Sequence, residues 1–334
     1  MAELLLNIKN LRVGYKVYGG LLKVLDGINI KVNKGERIGI VGETGSGKTT
    51  TAKAILRILP RTARIFGGEI IFQNKDVLKM SRSELSILRG QGISMIFQDP
   101  TASLNPVFTV GTIISDVIRY SHTLSTHNKS SKSSQIKEIA IDAFKSASLP
   151  DANRLLTNYP FQLSGGMRQR VCIAMALATA RNLLIADEPT TNLDVTIQDQ
   201  VLRLIKEMVD KKGTSLILIT HSLGVAREMT DKIYVMYAGT IVEQANTREL
   251  FENPYHPYTH ALLSCIPKLT GEGIASGIPG RMPDYLNPPL GCRFASRCPR
   301  ALPICQKERP PLMEVEPGHE VACFLFCTKQ GVPQ

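Results

Sequence analysis

Apolar and polar residues alternate through the first forty positions, in LLLNIKNLRV, then VLDGINIKV, then ERIGIVG. That period of two predicts half-buried strands joined at Asn and Gly turns. At IGIVGETGSGKTT the strand runs into a glycine-rich turn, and TAKAILRILP follows with helical spacing as far as Pro60. GGEIIFQNKDVL predicts another short strand region. From residue 81 to about 165 the spacing is mostly helical, with SHTLSTHNKSSKSSQ as a polar, exposed loop around residues 125 to 135. LSGGMRQRVCIAMALATA predicts a helix, LLIADEP a buried strand and TIQDQVLRLIKEMVDKK a helix. SLILITHS then reads as a strand, LGVAREMT as a helix, and KIYVMYAGTIVEQA as a strand pair turning at Gly239. Apolar strands alternating with helices predict an α/β core with a largely parallel sheet. Near residue 263 Pro and Gly become frequent and the helical period fades. The expected organisation is a main domain over residues 1–262, with a helical insertion at about 99–165, and a Pro/Gly/Cys-rich extension over 263–334.

Composition narrows the class. A chain of 334 residues with 43% apolar and 21% charged content can bury one sizeable core and carry a smaller unit besides. No run of apolar residues is long enough to span a bilayer, so the chain is not expected to cross a membrane itself. The opening MAELLLNIKNLRVGY has no basic segment ahead of its apolar run, so it reads as a first strand and not as a signal peptide. The net charge of +11 favours anionic partners: nucleotides, nucleic acid or an anionic membrane surface. No aromatic-studded basic tract, zinc-finger spacing or recognition-helix signature accompanies it, and nucleic acid is not expected as a partner.

The chemistry concentrates in a few short stretches. Gly42-Glu43-Thr44-Gly45-Ser46-Gly47-Lys48-Thr49, with Thr50 following, fits the phosphate-binding loop between a strand and a helix. Its glycines let backbone N–H groups face phosphates, Lys48 reaches the β and γ oxygens, and the Thr49 hydroxyl is placed to ligate Mg²⁺. Asp187 and Glu188 end the apolar strand LLIADEP. The first carboxylate can hold Mg²⁺ and the second can polarise an attacking water. Leu163-Ser164-Gly165-Gly166-Met167 opens a helix, where Ser164, the glycine amides and the helix N-terminus form either a second anion site or an ordinary N-cap. One chain with two anion sites suggests a nucleotide shared between two chains. Gln98 follows the buried strand ISMIF, where it can sense Mg²⁺ or water at a γ-phosphate, and His221 ends SLILIT, where an imidazole can hydrogen-bond it. Asn192-Leu193-Asp194 lies just beyond Glu188, placed to order a dimer contact.

Together these stretches resemble the ATP-binding-cassette family: a P-loop NTPase (RecA-like) cassette core with an antiparallel β part and a helical insertion. GETGSGKT is similar to its Walker A, LLIADE to its Walker B with Glu188 as the catalytic base, and LSGGM to its signature, with Met167 where Gln is usual. Gln98, Asn192-Leu193-Asp194 and His221 match its Q-loop, D-loop and switch histidine. The resemblance implies that two cassettes meet head to tail around two ATP molecules and drive partner membrane subunits. It also implies an aromatic stacking on adenine, for which Tyr18 is the first choice and Tyr15 the second. Asp99-Pro100-Thr101-Ala102-Ser103-Leu104-Asn105-Pro106 and Asn253-Pro254-Tyr255-His256-Pro257-Tyr258-Thr259 resemble the ATP-binding subunits of dipeptide and oligopeptide importers. The expected partners are then a related second cassette, two transmembrane permease subunits and, indirectly, a solute-binding protein, at the cytoplasmic face of the membrane. Alternatives are import of another small solute such as nickel, or a soluble cassette ATPase of DNA repair or translation.

Five of the seven cysteines crowd the tail. Cys292, Cys298, Cys305 and Cys323 are spaced C-x5-C-x6-C-x17-C, with Cys327 beyond. Four thiolates suit either zinc or an iron–sulfur cluster, and the spacing alone does not choose. An ATP-using protein belongs in a reducing compartment, which disfavours disulfides. The importer resemblance implies a 4Fe-4S cluster pinning a tail with little core of its own, with Zn²⁺ or free or partly paired thiols as the alternatives.

Overall fold

The computed structural model describes residues 3–126, 133–178, 181–191, 193–266 and 277–326. The chain divides into two compact units, one formed by Met1–Leu78 with Leu218–Gln334 and the other by Lys79–Ile217.

The first unit opens with β1 (Leu4–Val17) and β2 (Gly20–Asn33), continues through β3 (Arg37–Val41) and α1 (Lys48–Ile55), and then β4 (Ala63–Phe72) and a short β5 (Lys75–Asp76). β1 lies between β2 and β4, antiparallel to both. Its inward residues are Leu6 and Ile8, then Leu11 and Val13. The skip of one residue is a bulge: Asn10 takes φ 47° and the register shifts between Ile8 and Leu11, which returns the second apolar pair to the core face. α1 ends at Ile55, well short of Pro60, because Arg57 adopts φ 50° and breaks the helix.

The second unit holds α2 (Arg82–Ile87), β6 (Ile93–Ile96), α3 (Pro100–Ser103), α4 (Val110–Thr126), α5 (Ser133–Ser146), α6 (Ala152–Leu155), α7 (Gly165–Leu177), β7 (Leu183–Asp187) and α8 (Val195–Lys212). α2 begins at a capping box in which Ser81 and Glu84 satisfy each other's backbone N–H groups. β6 and β7 pair in parallel, and all five residues of β7 are buried. A continuous apolar run is what a parallel strand covered on both faces requires. α8 presents Val201, Leu202, Ile205, Met208 and Val209 to the interior and stops at Gly213 in the left-handed region. Arg181 is buried here, donating to Ser121 Oγ at 3.1 Å, which in turn donates to the Gly90 carbonyl at 2.8 Å.

The chain leaves this unit along β8 (Ser215–Thr220) and completes the first with α9 (Leu223–Met229), β9 (Lys232–Tyr237), β10 (Thr240–Asn246), α10 (Thr247–Glu252), α11 (Pro257–Ser264), α12 (Pro303–Lys307), β11 (Met313–Glu316) and β12 (His319–Val321). β9 is parallel to β3 and antiparallel to β10. The last two strands form a hairpin that extends the sheet from β10 through β12. The tail therefore continues the core rather than trailing from it. Phe294 joins Tyr237 and Tyr258 in one buried aromatic group, with ring centroids 4.6 to 5.3 Å apart.

A fully buried carboxylate ties these pieces together. Glu243 on β10 receives the Tyr255 and His256 backbone N–H groups at 2.7 and 3.0 Å and the His319 imidazole at 2.8 Å. His256 caps α11, its Nδ1 accepting the Tyr258 N–H at 3.0 Å, so this ring is held neutral. Burial pushes its pKa down to about 4, against the opposing pull of Glu243. The unfolded chain takes up a proton near pH 6.5 that folded His256 refuses until about pH 4. Stability from this residue is thus intact above that window and is lost as pH falls through it. The urea midpoint is expected to fall between about pH 7 and about pH 5, and His256→Asn, which keeps a capping acceptor, to flatten that fall. Equal pH dependence in the two proteins would remove His256 as its source.

Candidate active site

β3 stops at Val41 and α1 starts at Lys48, so the intervening glycine-rich residues must turn within a short span. Gly42, Gly45 and Gly47 have φ of 151°, 83° and 105°. A side chain at Gly42 would fall on the Met236 carbonyl oxygen, so only glycine fits there. The loop closes around Lys48, which is buried. Its Nζ donates to the Gly42 carbonyl at 2.7 Å and to the Glu43 carbonyl at 2.9 Å. Ser46 is also buried, and its hydroxyl has no hydrogen-bond partner among the described residues. Thr49 and Thr50 are half-buried, and Thr44 and Gly45 are exposed.

This cradle fits a polyphosphate. It holds a fixed cation, the buried Ser46 hydroxyl and the first turn of α1, whose N–H groups have no carbonyl within the helix. The Thr49 hydroxyl, hard oxygen chemistry beside that cradle, suits Mg²⁺. The surrounding body holds the loop in place. Gly239 N–H donates to the Ser46 carbonyl at 2.8 Å, and Glu43 N–H donates to the Tyr258 hydroxyl at 2.9 Å. Tyr15 reaches the same region, its hydroxyl 3.2 Å from Thr50 Oγ1. Tyr18 stands fully exposed at the β1–β2 turn, where its ring is open to a stacking partner. His221 is exposed directly after β8.

In the second unit Asp187 is buried at the end of β7. Glu188 follows in the left-handed region, φ 45°, which swings its carboxylate off the strand direction. Glu188 Oε2 accepts Gln98 Nε2 at 3.0 Å and the Thr191 hydroxyl at 3.0 Å. One oxygen is thus restrained by two donors, an arrangement that orients a general base. The Gln98 pairing and Thr191 have no counterpart in the sequence reading. Thr191 could have been found only as a hydroxyl three residues past the carboxylate.

Ser164 caps α7, its Oγ accepting the Met167 N–H at 3.3 Å, so the N-cap is present. Gly165 and Gly166 form the helix's first turn, and a Cβ on Gly166 would press within 3.0 Å of Ile197. Gln169 on the same helix donates to the Pro189 carbonyl at 2.6 Å and so joins α7 to the turn that carries Glu188. Asp194 caps α8, accepting the Ile197 N–H at 3.0 Å. Asn192, Cys327 and the centre of the polar loop at 127–132 lie outside the described residues.

The cysteine prediction requires correction. Among the described residues no three His, Cys, Asp or Glu side chains form an arrangement able to hold a metal ion, so the 4Fe-4S cluster or zinc site expected at Cys292, Cys298, Cys305 and Cys323 is not formed. These residues behave as small apolar groups: Cys305 and Cys323 are buried, and Cys292 and Cys298 pack against the aromatic group around Phe294. Burial pushes the Cys292 and Cys298 thiols up, and pushes Cys323 up to about 12, with the neighbouring thiols adding to it. The tail is instead held by hydrogen bonds, its own hairpin and the shared core.

Comparison with known proteins agrees with this geometry. The family described as ABC transporter matches residues 25–191, and the one described as oligopeptide/dipeptide transporter, C-terminal region, matches residues 242–305. The chain is 45% identical over 326 residues to a probable peptide ABC transporter ATP-binding protein, y4tR, of Sinorhizobium fredii, covering 97% of this chain and 95% of that one. It is 45% identical to the oligopeptide transport ATP-binding protein OppD of Bacillus subtilis, covering 96% and 89%, and 43% identical to the dipeptide transport protein DppD of the same organism, covering 97% and 95%. Among solved structures, the dimeric ATP-binding cassette MJ0796 bound to ADP and phosphate superposes with a TM-score of 0.64 at 26% identity, covering 73% of this chain and 99% of that one.

A thiol pushed up to about 12 is almost wholly protonated near neutral pH, as for Cys323 and for Cys172, which burial and the nearby Asp99 raise. At about pH 7.5, iodoacetamide should modify both at least about tenfold more slowly in the folded chain than in urea, as followed by peptide mass mapping. Comparable rates would mean that these thiols are neither buried nor protonated.

Proposed function

Because the chain belongs to the ABC transporter family and carries the C-terminal region of its oligopeptide/dipeptide transporters, we propose that it is the ATP-hydrolysing subunit that drives import of di- and oligopeptides. The observation that carries the catalytic part is the glycine loop closed around buried Lys48.

In this reading Gly42, Glu43, Thr44, Gly45, Ser46, Gly47, Lys48, Thr49 and Thr50 bind the phosphates of ATP, and Tyr18 stacks on the adenine. Thr49, Gln98 and Asp187 are the residues that would hold Mg²⁺, which would neutralise charge on the phosphate oxygens. Glu188 takes the proton of the attacking water, and the Gln98 and Thr191 donors keep its carboxylate turned for that task. His221 hydrogen-bonds the γ-phosphate. Ser164, Gly165, Gly166 and Asp194 serve the nucleotide held by a partner cassette. Ser164 and Asp194 already order the helix starts from which such contacts would be made.

The working complex is a multi-subunit importer: this chain, a second and related cassette, two transmembrane permeases, and a solute-binding protein that delivers peptide. No helix among the described residues is long and apolar enough to cross a membrane. That supports a peripheral place for this subunit, on the cytoplasmic face where ATP is available. The surplus of basic residues suits an anionic lipid surface there.

Two outcomes test the assignment. Glu188→Gln keeps the shape and both hydrogen-bond donors' partner, so it should bind MgATP normally and lose about 10²–10⁴-fold in turnover. Turnover at the wild-type rate would sink the general-base role. Ser164→Ala, in the complete complex, should slow hydrolysis while leaving ATP binding to this isolated chain unchanged; an unaltered rate in the complex would count against a site shared between cassettes.

A further inference from the structure

The importer reading leaves unexplained why the C-terminal extension reaches the glycine-rich loop itself. We propose that the segment from Tyr285 to Arg297 is a positioning clamp on the phosphate loop, with Arg297 as its main residue, and that it sets the affinity for nucleotide. The proposal rests on reading residues 42–49 as the phosphate-binding loop.

Three contacts carry it, all within the first unit. Arg297 Nη1 donates to both Oε1 and Oε2 of Glu43, each at 3.1 Å. The Tyr285 hydroxyl donates to the Gly45 carbonyl at 2.7 Å. Arg293 donates to the Ala238 carbonyl, next to Gly239, whose N–H donates to the Ser46 carbonyl at 2.8 Å. The extension thus bears on Glu43, Gly45 and, through one neighbour, Ser46, in the half of the loop that precedes Lys48.

The anchoring side is rigid. The Arg297 side chain is 3% exposed. Its Nε and Nη2 donate to the carbonyls of Pro279 and Ile278 at 2.8 and 3.0 Å, and Nη1 also lies 3.3 Å from the Tyr237 hydroxyl. The guanidinium lies beside the Tyr237 and Phe294 rings. Arg293 is buried and paired to Asp26 at 3.1 Å, with Arg309 on the same carboxylate at 2.7 Å. The Tyr285 carbonyl accepts the Lys23 N–H at 2.8 Å, which ties that residue to β2.

Two physical effects follow. A loop with three glycines at positive φ has many conformations to lose when it binds phosphate, and a clamp removes part of that loss beforehand. Glu43 also places a carboxylate where a polyanion must bind, and Arg297 offsets its charge at contact distance. Loosening Arg297 therefore both frees the loop and unmasks the charge.

Titration of the full-length chain with MANT-ATP and Mg²⁺ tests this. Arg297→Gln should weaken binding about tenfold, which corresponds to about 1.4 kcal/mol. Arg297→Lys should recover part of it. Glu43→Gln/Arg297→Gln should bind no more weakly than Arg297→Gln alone, because the two residues act through one contact. In the assembled transporter, Arg297→Gln should raise KM for ATP with kcat changed less than about twofold, a split that a general loss of folded protein would not produce. Tyr285→Phe keeps the ring and removes only the hydroxyl, and should weaken binding about threefold. Wild-type affinity in folded Arg297→Gln overturns the proposal. If that variant does not fold, wild-type affinity in both Arg297→Lys and Tyr285→Phe overturns it. Lys48→Ala separates the two readings: if it binds MANT-ATP as the wild type does, the phosphate-loop assignment fails whatever the clamp variants show.

Discussion

A buried ammonium must be solvated by the protein, and for Lys48 the solvent is the backbone of its own loop. That requirement organises the centre of the cassette. The Gly42 and Glu43 carbonyls converge on Nζ only if the chain turns sharply after Val41, and the turn leaves no room for a Cβ at Gly42 against Met236. β3 must end where it does and α1 must begin at Lys48 itself. β9, parallel to β3, then supplies Met236 as the wall, and the Ala238–Gly239 turn supplies the N–H that fixes Ser46. The cradle around Lys48 is therefore a property of the strand pair as much as of the glycine motif.

The same economy of buried charge explains how a tail rich in Pro and Gly stays folded. Glu243 on β10 has no exposure, yet its two oxygens receive two backbone N–H groups from the segment before α11 and one imidazole from β12. Breaking such a site by removing a partner typically costs about 3–5 kcal/mol, so the hairpin and α11 are held in mutual register. Asp26 does the equivalent on β2. Burial would raise its carboxyl, but Arg309, Arg293 and Arg12 outweigh that and hold it below the usual carboxylate range. These anchors and the Tyr237–Tyr258–Phe294 group tie the tail to the core of the first unit. The crowding of cysteines suggested a metal site because a sequence shows how few apolar residues a segment owns, not which core it borrows.

Legibility in the sequence followed the range of the interaction. The strand–turn–helix around Lys48, the buried run of β7 ending in Asp187 and Glu188, and the helix starts at Ser164 and Asp194 are local, and spacing with residue type sufficed to place them. Local deviations were less visible. The bulge at Asn10 and the early end of α1 at Arg57 each depend on one left-handed residue, and Arg57 is of a type that does not announce it. Contacts between distant segments could not be read at all. Gln98 was recognised singly, but not its bond to Glu188 ninety residues away, nor the Arg297–Glu43 pair at still greater separation. Each joins side chains whose types are common and whose pairing is set by the fold.

Glu188 shows why such pairings matter to the chemistry. A non-glycine residue in the left-handed region costs of order 1–3 kcal/mol and persists only where its surroundings over-determine it. Glycine would relieve that cost but carries no carboxylate. The strain turns the side chain out of the β7 pleat toward Gln98 and Thr191, whose two donors hold one carboxylate oxygen in a fixed direction. Gln169 braces the same turn from α7 by holding the Pro189 carbonyl, so the helix that begins at Ser164 and the Glu188 turn share one support. A shift of α7 would be felt at the carboxylate within a single hydrogen bond. In the proposed reading, with a partner cassette meeting the start of α7 and Glu188 acting as the base, this bond would carry that contact to the carboxylate.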